Sequence, residues 1–229
     1  MAETINQGGV RRGHRAAVFD LDGVLVDTAV HHRAAWQKIS AEYGFDLSAE
    51  TAEATKGVGR FEALDLVMRS AGIKLSESER MTAAARKNEY YLDLIADISP
   101  AELLPGAVST LQSLDSLGVR IALASGSKNA GGILDRTGIR DFFDAVVDGT
   151  VVAAPKPDPA VFLEAARRVG VSPADSVVFE DAAAGVEGAN RAGCTTVGIG
   201  LPAVLSAARL VAPSLLEVDW TAFFGPAGV

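Results

Sequence analysis

The segment AAVFDLDG, residues 16–23, decides the fold of this chain. Four apolar residues predict a buried strand, and the acids Asp20 and Asp22 follow it directly, with Leu21 between them. Because side chains alternate along an extended chain, both carboxylates lie on one side and Leu21 on the other. Ligands of open α/β sheets bind at the carboxyl ends of the strands, where these acids fall. Alone, the two acids would be read as an ordinary turn before Gly23. Whether they form part of a functional site depends on the residues at the other strand ends.

Short apolar runs and helical segments alternate through the second half of the chain. Such alternation is typical of a buried parallel sheet with crossover helices. The predicted fold class is therefore α/β, with a Rossmann-like parallel-sheet core domain. We expect strands at residues 16–19, 119–124, 145–147, 177–179 and 195–199, and helices at residues 127–137, 159–170 and 183–192.

A long insertion separates the first two predicted strands. It is far longer than one crossover helix requires, and it has helical periodicity at residues 28–43, 60–71 and 76–95. We therefore expect an inserted helical cap domain. The predicted domains are a disordered tail at residues 1–14, an α/β catalytic core at residues 15–27 and 99–229, and the cap at residues 28–98.

The composition is that of a globular protein, with 48% hydrophobic and 22% charged residues. A net charge of -8 without a long basic run argues against nucleic acid and membrane as partners. Cys194 is the only cysteine, which excludes an intrachain disulfide and a multi-cysteine zinc site and favours a cytoplasmic location. No stretch approaches the ~20 apolar residues of a membrane span. Because no coiled coil or long apolar stripe is visible, we expect a monomer.

Three further strand ends carry groups suited to phosphate chemistry. The second strand ends in SGSKN, residues 125–129, where hydroxyls and backbone amides at a helix start suit an anion. Lys156 stands between prolines in PKPDP, and Glu180 with Asp181 follows the fourth strand. Taken singly, these are a helix N-cap, a surface lysine and an acid pair at a helix N-terminus.

Taken together, the strand ends predict a metal site. Grouped carboxylates repel one another and do not stay ionised without a compensating cation, so both Lys156 and a hard metal ion are implied. Magnesium is the natural candidate, because the absence of histidine and cysteine from these motifs disfavours zinc. The predicted metal ligands are Asp20, Asp22, Glu180 and Asp181.

These four motifs resemble those of the haloacid dehalogenase superfamily, and they span nearly the whole chain. The resemblance implies that Asp20 is a nucleophile that becomes transiently phosphorylated and that Asp22 is the general acid and base. A carboxylate nucleophile divides phosphoryl transfer into two displacements. Mg²⁺ and Lys156 would neutralise charge on the transferring group.

Within the superfamily the chain resembles the β-phosphoglucomutases. The stretches that carry this resemblance are DTAVHHRAAW (27–36), KGVGR (56–60), RKN (86–88), SPAE (99–102) and ALASGSKN (122–129). The resemblance implies an isomerase that interconverts β-D-glucose 1-phosphate and glucose 6-phosphate. The reaction would pass through an aspartyl-phosphate enzyme, with β-glucose 1,6-bisphosphate as intermediate and activator.

The cap is expected to bind substrate. Thr28, His32 and Trp36 recur at helical spacing and share one face, which would otherwise be a packing face within the cap. By resemblance, His32 is catalytic and couples cap closure to acid–base chemistry. A bisphosphate presents either phosphate to Asp20, so a distal site must hold the other one; the resemblance places it at Arg60, Ser127, Lys128 and Asn129. The expected substrate- and phosphate-binding residues are Thr28, Trp36, Lys56, Gly57, Val58, Arg60, Lys74, Ser125, Gly126, Ser127, Lys128 and Asn129.

Two alternatives to a mutase remain at this stage. A capped sugar-phosphate phosphatase would use the same nucleophile but release its phosphate to water. A non-catalytic metabolite-binding protein would have no need to keep a nucleophile beside an acid. The two expected phosphate-binding sites favour the mutase, because closure of the cap around a sugar bound at both ends excludes water.

Overall fold

In the computed structural model, which describes residues 13–152 and 154–225, β1 (Ala16–Phe19) lies inside a parallel sheet. All four of its residues are fully buried, as expected for a strand without polar side chains that is covered on both faces. The other strands are β2 (Arg120–Ala124), β3 (Ala145–Val147), β4 (Ser176–Glu180), β5 (Thr195–Ile199) and β6 (Leu210–Ala212). The strand order is β3-β2-β1-β4-β5-β6, and every neighbouring pair is parallel. The predicted α/β, Rossmann-like class is confirmed.

Helices cover both faces of this sheet. They are α5 (Ala107–Ser116), α6 (Ala130–Thr137), α7 (Ala160–Arg168), α8 (Ala183–Ala192) and α9 (Thr221–Phe224). Ala17 and Phe19 point into an apolar cluster with α5 and α6, whereas Val18 points into a second cluster with α7 and α8. This division follows from the alternation of side chains along β1.

Four helices lie in the insertion between β1 and β2. They are α1 (Ala29–Glu42), α2 (Ala49–Ala54), α3 (Arg60–Ser70) and α4 (Glu77–Leu94). They enclose an apolar cluster of their own around Trp36, Ile39, Leu64 and Val67. A separate buried cluster is what a folding unit of its own requires. It supports the division of the chain into core and cap, which remains our proposal.

Two chain segments that run side by side connect the cap to the core. The amide of Asp27 donates to the carbonyl of Glu102 at 2.9 Å, and the amide of Leu104 donates to that of Leu25 at 2.9 Å. In the second segment, Ser99 and Glu102 form a capping box that begins the short 3-10 helix Pro100–Glu102. Both connections are therefore tied at the same level, close to Asp20 and Asp22.

Some elements differ from the sequence prediction. Helices α2, α5 and α9 and strand β6 were not predicted. Most of the predicted tail, residues 1–12, lies outside the described residues, but His14 does not belong to a disordered tail. Its amide donates to the carbonyl of Phe223 at 2.8 Å, and its ring Nε2 lies 2.9 Å from Thr195 Oγ1. The short α9 provides this contact, and sequence periodicity does not reveal so short a helix.

No helix among the described residues combines the length and the apolar character needed to cross a membrane.

Candidate active site

Three acids and one lysine meet at the carboxyl ends of β1 and β4. These strands pair in register, with Phe19 opposite Phe179, so the next residues, Asp20 and Glu180, are neighbours. One carboxylate oxygen from each of Asp20, Glu180 and Asp181 lies within 4.8 Å of the others. The Lys156 ammonium donates to Asp20 Oδ1 at 2.7 Å and also contacts Glu180. Strand register thus brings together residues that are up to 161 positions apart in the sequence.

The electrostatics of this cluster call for a further cation. Burial, together with the neighbouring acids, raises the pKa of Glu180 and of Asp181 above their ordinary values. Burial opposes the charge of Lys156, but Asp20 and Glu180 outweigh it and raise the pKa of the ammonium. One ammonium cannot neutralise three carboxylates. Oxygen-only ligands at this spacing fit a hard divalent cation such as Mg²⁺.

The Asp22 side chain does not join this acid cluster. Its carboxylate accepts a hydrogen bond from the Thr28 hydroxyl, and its Oδ1 lies 3.9 Å from His32 Nε2. Burial and the charge of Asp20 raise the pKa of Asp22. The Asp22 carboxylate is therefore not one of the three that lie together, and Asp22 as a metal ligand stays a prediction. β1 ends at Phe19 and the chain bends at Leu21, so the alternation that predicted both carboxylates on one side does not extend to Asp22.

Helix α4 brings three groups to the site that we did not predict, two at His32 and one at Arg60. Lys87 Nζ lies 2.7 Å from His32 Nδ1, and the Tyr91 ring stacks on the His32 ring with centroids 4.1 Å apart. Lys87 also lies over the rings of Trp36 and Tyr91, at 4.8 and 4.9 Å. Burial lowers the pKa of Lys87 to about 7 and lowers that of His32 well below its usual range. The third group, Asn88, contacts Arg60.

The N-terminus of α4 explains how these residues are held. Ser76 caps the helix by accepting from the Glu79 amide, and Glu79 accepts from the Ser76 amide at 2.8 Å. This reciprocal capping box satisfies two donors that a helix start leaves unpaired. Lys87 and Tyr91 are four residues apart and therefore share one face. The RKN stretch at residues 86–88 was part of the sequence resemblance, and its helical position was the signal that could have identified these residues.

A cavity of about 630 Å³ lies between the core and the cap. Both layers line it, so a bound molecule would contact the acids of the core and the helices of the cap together. The predicted site residues that line it are Asp20, Asp22, His32, Trp36, Lys56, Gly57, Val58, Arg60, Gly126, Ser127, Lys128, Asn129, Lys156, Glu180 and Asp181.

Three predicted binding residues do not line this cavity. Thr28 is fully buried, and its hydroxyl is used by Asp22. Ser125 is buried beneath the loop, where its Oγ accepts from the Ser127 amide at 3.1 Å. Lys74 is exposed in the loop between α3 and α4. That loop is about a helix length from Arg60, because α3 rises ~1.5 Å per residue away from it.

Two backbone amides of the loop at residues 125–129 already have acceptors within the loop. The amide of Ser127 donates to Ser125 Oγ, and the amide of Asn129 donates to Ser127 Oγ at 3.2 Å. These two donors are therefore already satisfied. Gly149 supports the loop from below, since a Cβ there would lie 2.5 Å from the Gly126 carbonyl oxygen. The amides of Gly126 and Lys128, together with the side chains of Lys128 and Asn129, would be available to an anion at this loop.

Glycines of the cap loop make close contact with the core. A Cβ at Gly57 would lie 2.4 Å from Ala182 Cβ, and one at Gly59 would lie 3.1 Å from Pro155 Cβ. Ala182 follows Asp181, and Pro155 precedes Lys156. The cap loop is therefore packed directly beside the acid cluster.

Comparisons with known proteins agree with this arrangement. The sequence matches the haloacid dehalogenase-like hydrolase family over residues 14–193. It is 41% identical to the β-phosphoglucomutase of Bacillus subtilis (strain 168) over 199 residues, which are 86% of this chain and 88% of that protein. It is 31% identical to a phosphorylated carbohydrates phosphatase of Thermotoga maritima over 181 residues, 78% of this chain and 81% of the relative.

A solved structure is similar over nearly its whole length. The crystal structure of β-phosphoglucomutase from Clostridium difficile superposes with a TM-score of 0.86 at 37% identity and covers 91% of this chain and 95% of its own. These similarities confirm the resemblance that the strand-end motifs and the cap stretches indicated.

Proposed function

This chain belongs to the haloacid dehalogenase-like hydrolase family, and from that premise we propose that it is a Mg²⁺-dependent β-phosphoglucomutase. It would interconvert β-D-glucose 1-phosphate and glucose 6-phosphate through β-glucose 1,6-bisphosphate. The observation that carries the proposal is one cavity with two sets of groups suited to phosphate. Asp20 and Lys156 form one set, and Arg60 with residues 127–129 forms the other. A mutase needs both sets, whereas a phosphatase has no chemical requirement for the second.

The proposed chemistry begins at Asp20. Its carboxylate attacks phosphorus of the bisphosphate and forms the aspartyl phosphate, while the bond from phosphorus to the sugar oxygen breaks. Asp22 gives a proton to that oxygen, and the sugar monophosphate leaves. When the next β-D-glucose 1-phosphate binds, Asp22 takes a proton from its C6 hydroxyl as this oxygen attacks phosphorus, so the bond from phosphorus to Asp20 breaks and the bisphosphate forms again. The raised pKa of Asp22 suits a group that alternates between the two protonation states.

Lys156 holds the nucleophile in place, since its ammonium donates to Asp20 Oδ1. Asp20, Glu180 and Asp181 would hold Mg²⁺, which supplies positive charge to the transferring phosphoryl group. His32 links the cap to Asp22, because its ring lies between Asp22 and Lys87. We propose that this contact couples cap closure to proton transfer.

Water must be kept from the aspartyl phosphate if a sugar hydroxyl is to accept its phosphate. The contacts of Gly57 with Ala182 and of Gly59 with Pro155 support tight closure beside Asp20. A closed, dry site favours transfer to the bound sugar over hydrolysis.

The decisive experiment supplies β-glucose 1-phosphate, Mg²⁺ and a trace of β-glucose 1,6-bisphosphate. We expect glucose 6-phosphate to form with little free phosphate, and we expect Asp20→Asn to remain folded and abolish turnover. Phosphatases are among the relatives at 31% and 32% identity, so hydrolysis is the alternative outcome. If free phosphate is the main product, the protein is a sugar-phosphate phosphatase.

A further inference from the structure

One hydrogen-bonded contact joins α3, α4 and the core at the second set of phosphate-binding groups. Asn88 Oδ1 accepts from Arg60 Nη2 at 2.7 Å and from Asn129 Nδ2 at 3.4 Å. Arg60 begins α3, Asn88 lies in α4, and Asn129 immediately precedes α6 of the core. Within residues 13–152 and 154–225, the side-chain hydrogen bonds between the cap, residues 28–98, and the core are this one and the bond from Thr28 to Asp22. The contact therefore links the two layers at the side of the cavity where a distal phosphate would bind.

The chemistry of this contact resembles that of a phosphate site. Two donors from different layers converge on a single oxygen, as they would on a phosphate oxygen. The carboxamide oxygen carries no formal charge, so it can align the guanidinium without neutralising it. A phosphate makes charge-assisted hydrogen bonds that are roughly twice as strong, and it can therefore replace the carboxamide as the acceptor.

The surroundings of Arg60 also indicate a guanidinium kept for an anion. Its side chain lines the cavity, yet among the described residues no carboxylate forms an ion pair with it. Arginines that are partly withdrawn from water normally have an anionic partner or a hydrogen-bonding substitute. Asn88 is that substitute in this structure.

We propose that Asn88 is a positioning residue of the distal phosphate site. It aligns Arg60 with Asn129 across the gap between cap and core. When substrate binds, the phosphate that is not reacting replaces the Asn88 carboxamide as the hydrogen-bond acceptor. The inference rests on the proposed function, because it assumes that a second phosphate must be held. It assigns to Asn88 the role of making the site selective for a ligand with two phosphates.

Two substitutions separate this role from a merely structural one. Asn88→Ala removes the acceptor, and Asn88→Asp keeps an acceptor of the same shape but adds negative charge. If Asn88 only stabilises the contact, Asn88→Asp should bind Arg60 more strongly and perform at least as well as Asn88→Ala. If phosphate takes its place, the added carboxylate competes with the ligand, and Asn88→Asp should be the worse variant. Gln112→Glu, an exposed change on α5, controls for the extra negative charge.

The measurement compares two donors that phosphorylate Asp20. β-Glucose 1,6-bisphosphate has a distal phosphate, and acetyl phosphate has none. We expect Asn88→Ala to lower kcat/KM for the bisphosphate about tenfold relative to kcat/KM for acetyl phosphate, the size of one hydrogen bond to a charged group. For Asn88→Asp we expect a relative loss of about a hundredfold, mostly in KM. Gln112→Glu should keep the ratio of the wild type.

Two results would overturn the inference, and only the second of them would also overturn the proposed function. If the wild type prefers the bisphosphate and Asn88→Asp keeps this preference, Asn88 has no positioning role while the proposed function stands. If the wild type itself shows no preference for the bisphosphate, the distal site falls, and with it both the mutase proposal and the role of Asn88.

Discussion

Gly23 sets the position of Asp181, and replacing it should weaken metal binding more than it weakens the fold. Its φ is +83°, and a Cβ built on it would lie 2.1 Å from Asp181 Oδ2. Ordinary contact begins at about 3.4 Å, so in Gly23→Ala the carboxylate must retreat by about 1.3 Å. Metal–ligand distances tolerate only ~0.2 Å. The variant should therefore lose one of the three acids that would hold the ion.

The backbone cost of this substitution can be measured separately. Gly193, which follows α8, has the same φ of +83° and no atom within 4 Å of a built Cβ. Gly193→Ala should therefore lower the free energy of unfolding by about 1–2 kcal/mol, the cost of a left-handed L-residue, without moving a ligand. Gly23→Ala carries the same backbone cost together with the displacement of Asp181.

Calorimetric titration with Mg²⁺ and urea denaturation give the two quantities needed. We expect Gly193→Ala to bind Mg²⁺ as the wild type does. For Gly23→Ala we expect affinity to fall at least about tenfold, since even changes in residues that orient metal ligands cost 10–100-fold. Equal Mg²⁺ affinity in the two variants would refute the view that Asp181 is a ligand held in place by Gly23.

Two further predictions concern the buried lysines. In Lys156→Met, Asp20 and Glu180 lose their shared ammonium, so the free energy of unfolding of the metal-free protein should fall by about 3–5 kcal/mol. Mg²⁺ should then stabilise this variant more than it stabilises the wild type. Urea denaturation with and without Mg²⁺ measures both effects, and equal stabilisation of the two proteins by Mg²⁺ would contradict the prediction. Burial lowers the pKa of Lys87 from 10.5 to about 7, so between these values the unfolded chain holds a proton that the folded protein lacks. The free energy of unfolding of the wild type should therefore rise with pH across this window. Relative to the wild type, Lys87→Met should be most stable below about pH 7 and should lose that advantage towards pH 10. A stability difference between the two proteins that does not change with pH would count against the prediction.

Local sequence predicted the strands and the site residues well wherever an apolar run is followed directly by charged or polar residues. Residues 16–19 and 195–199 were predicted with the observed bounds, because a short apolar run bounded by polar residues has few alternatives. Asp20, Lys156, Glu180 and Asp181 were expected at one edge, because parallel strands place their carboxyl ends together. Their catalytic roles remain proposals.

The structure differs from the expected site where a hydroxyl is bonded within its own loop or where a helix leads away from the cavity. Thr28 and Ser125 were expected at the substrate, but each is buried and bonded to a neighbour in the same loop. Lys74 was expected to bind substrate, but its loop follows the far end of α3 and does not line the cavity. In sequence, nothing distinguishes a hydroxyl that faces a ligand from one that faces a carboxylate.

The sequence by itself determined the fold class, the family and the acids and lysine of the core, because these depend on strand patterns and on motifs that are local in the chain. Only the tertiary structure decided that Asp22 faces His32 and not the acid cluster, and that Lys87, Asn88 and Tyr91 complete the site from α4. The physical reason is that contacts between cap and core depend on helix direction and on how two layers pack, and periodicity along one segment carries no information about either.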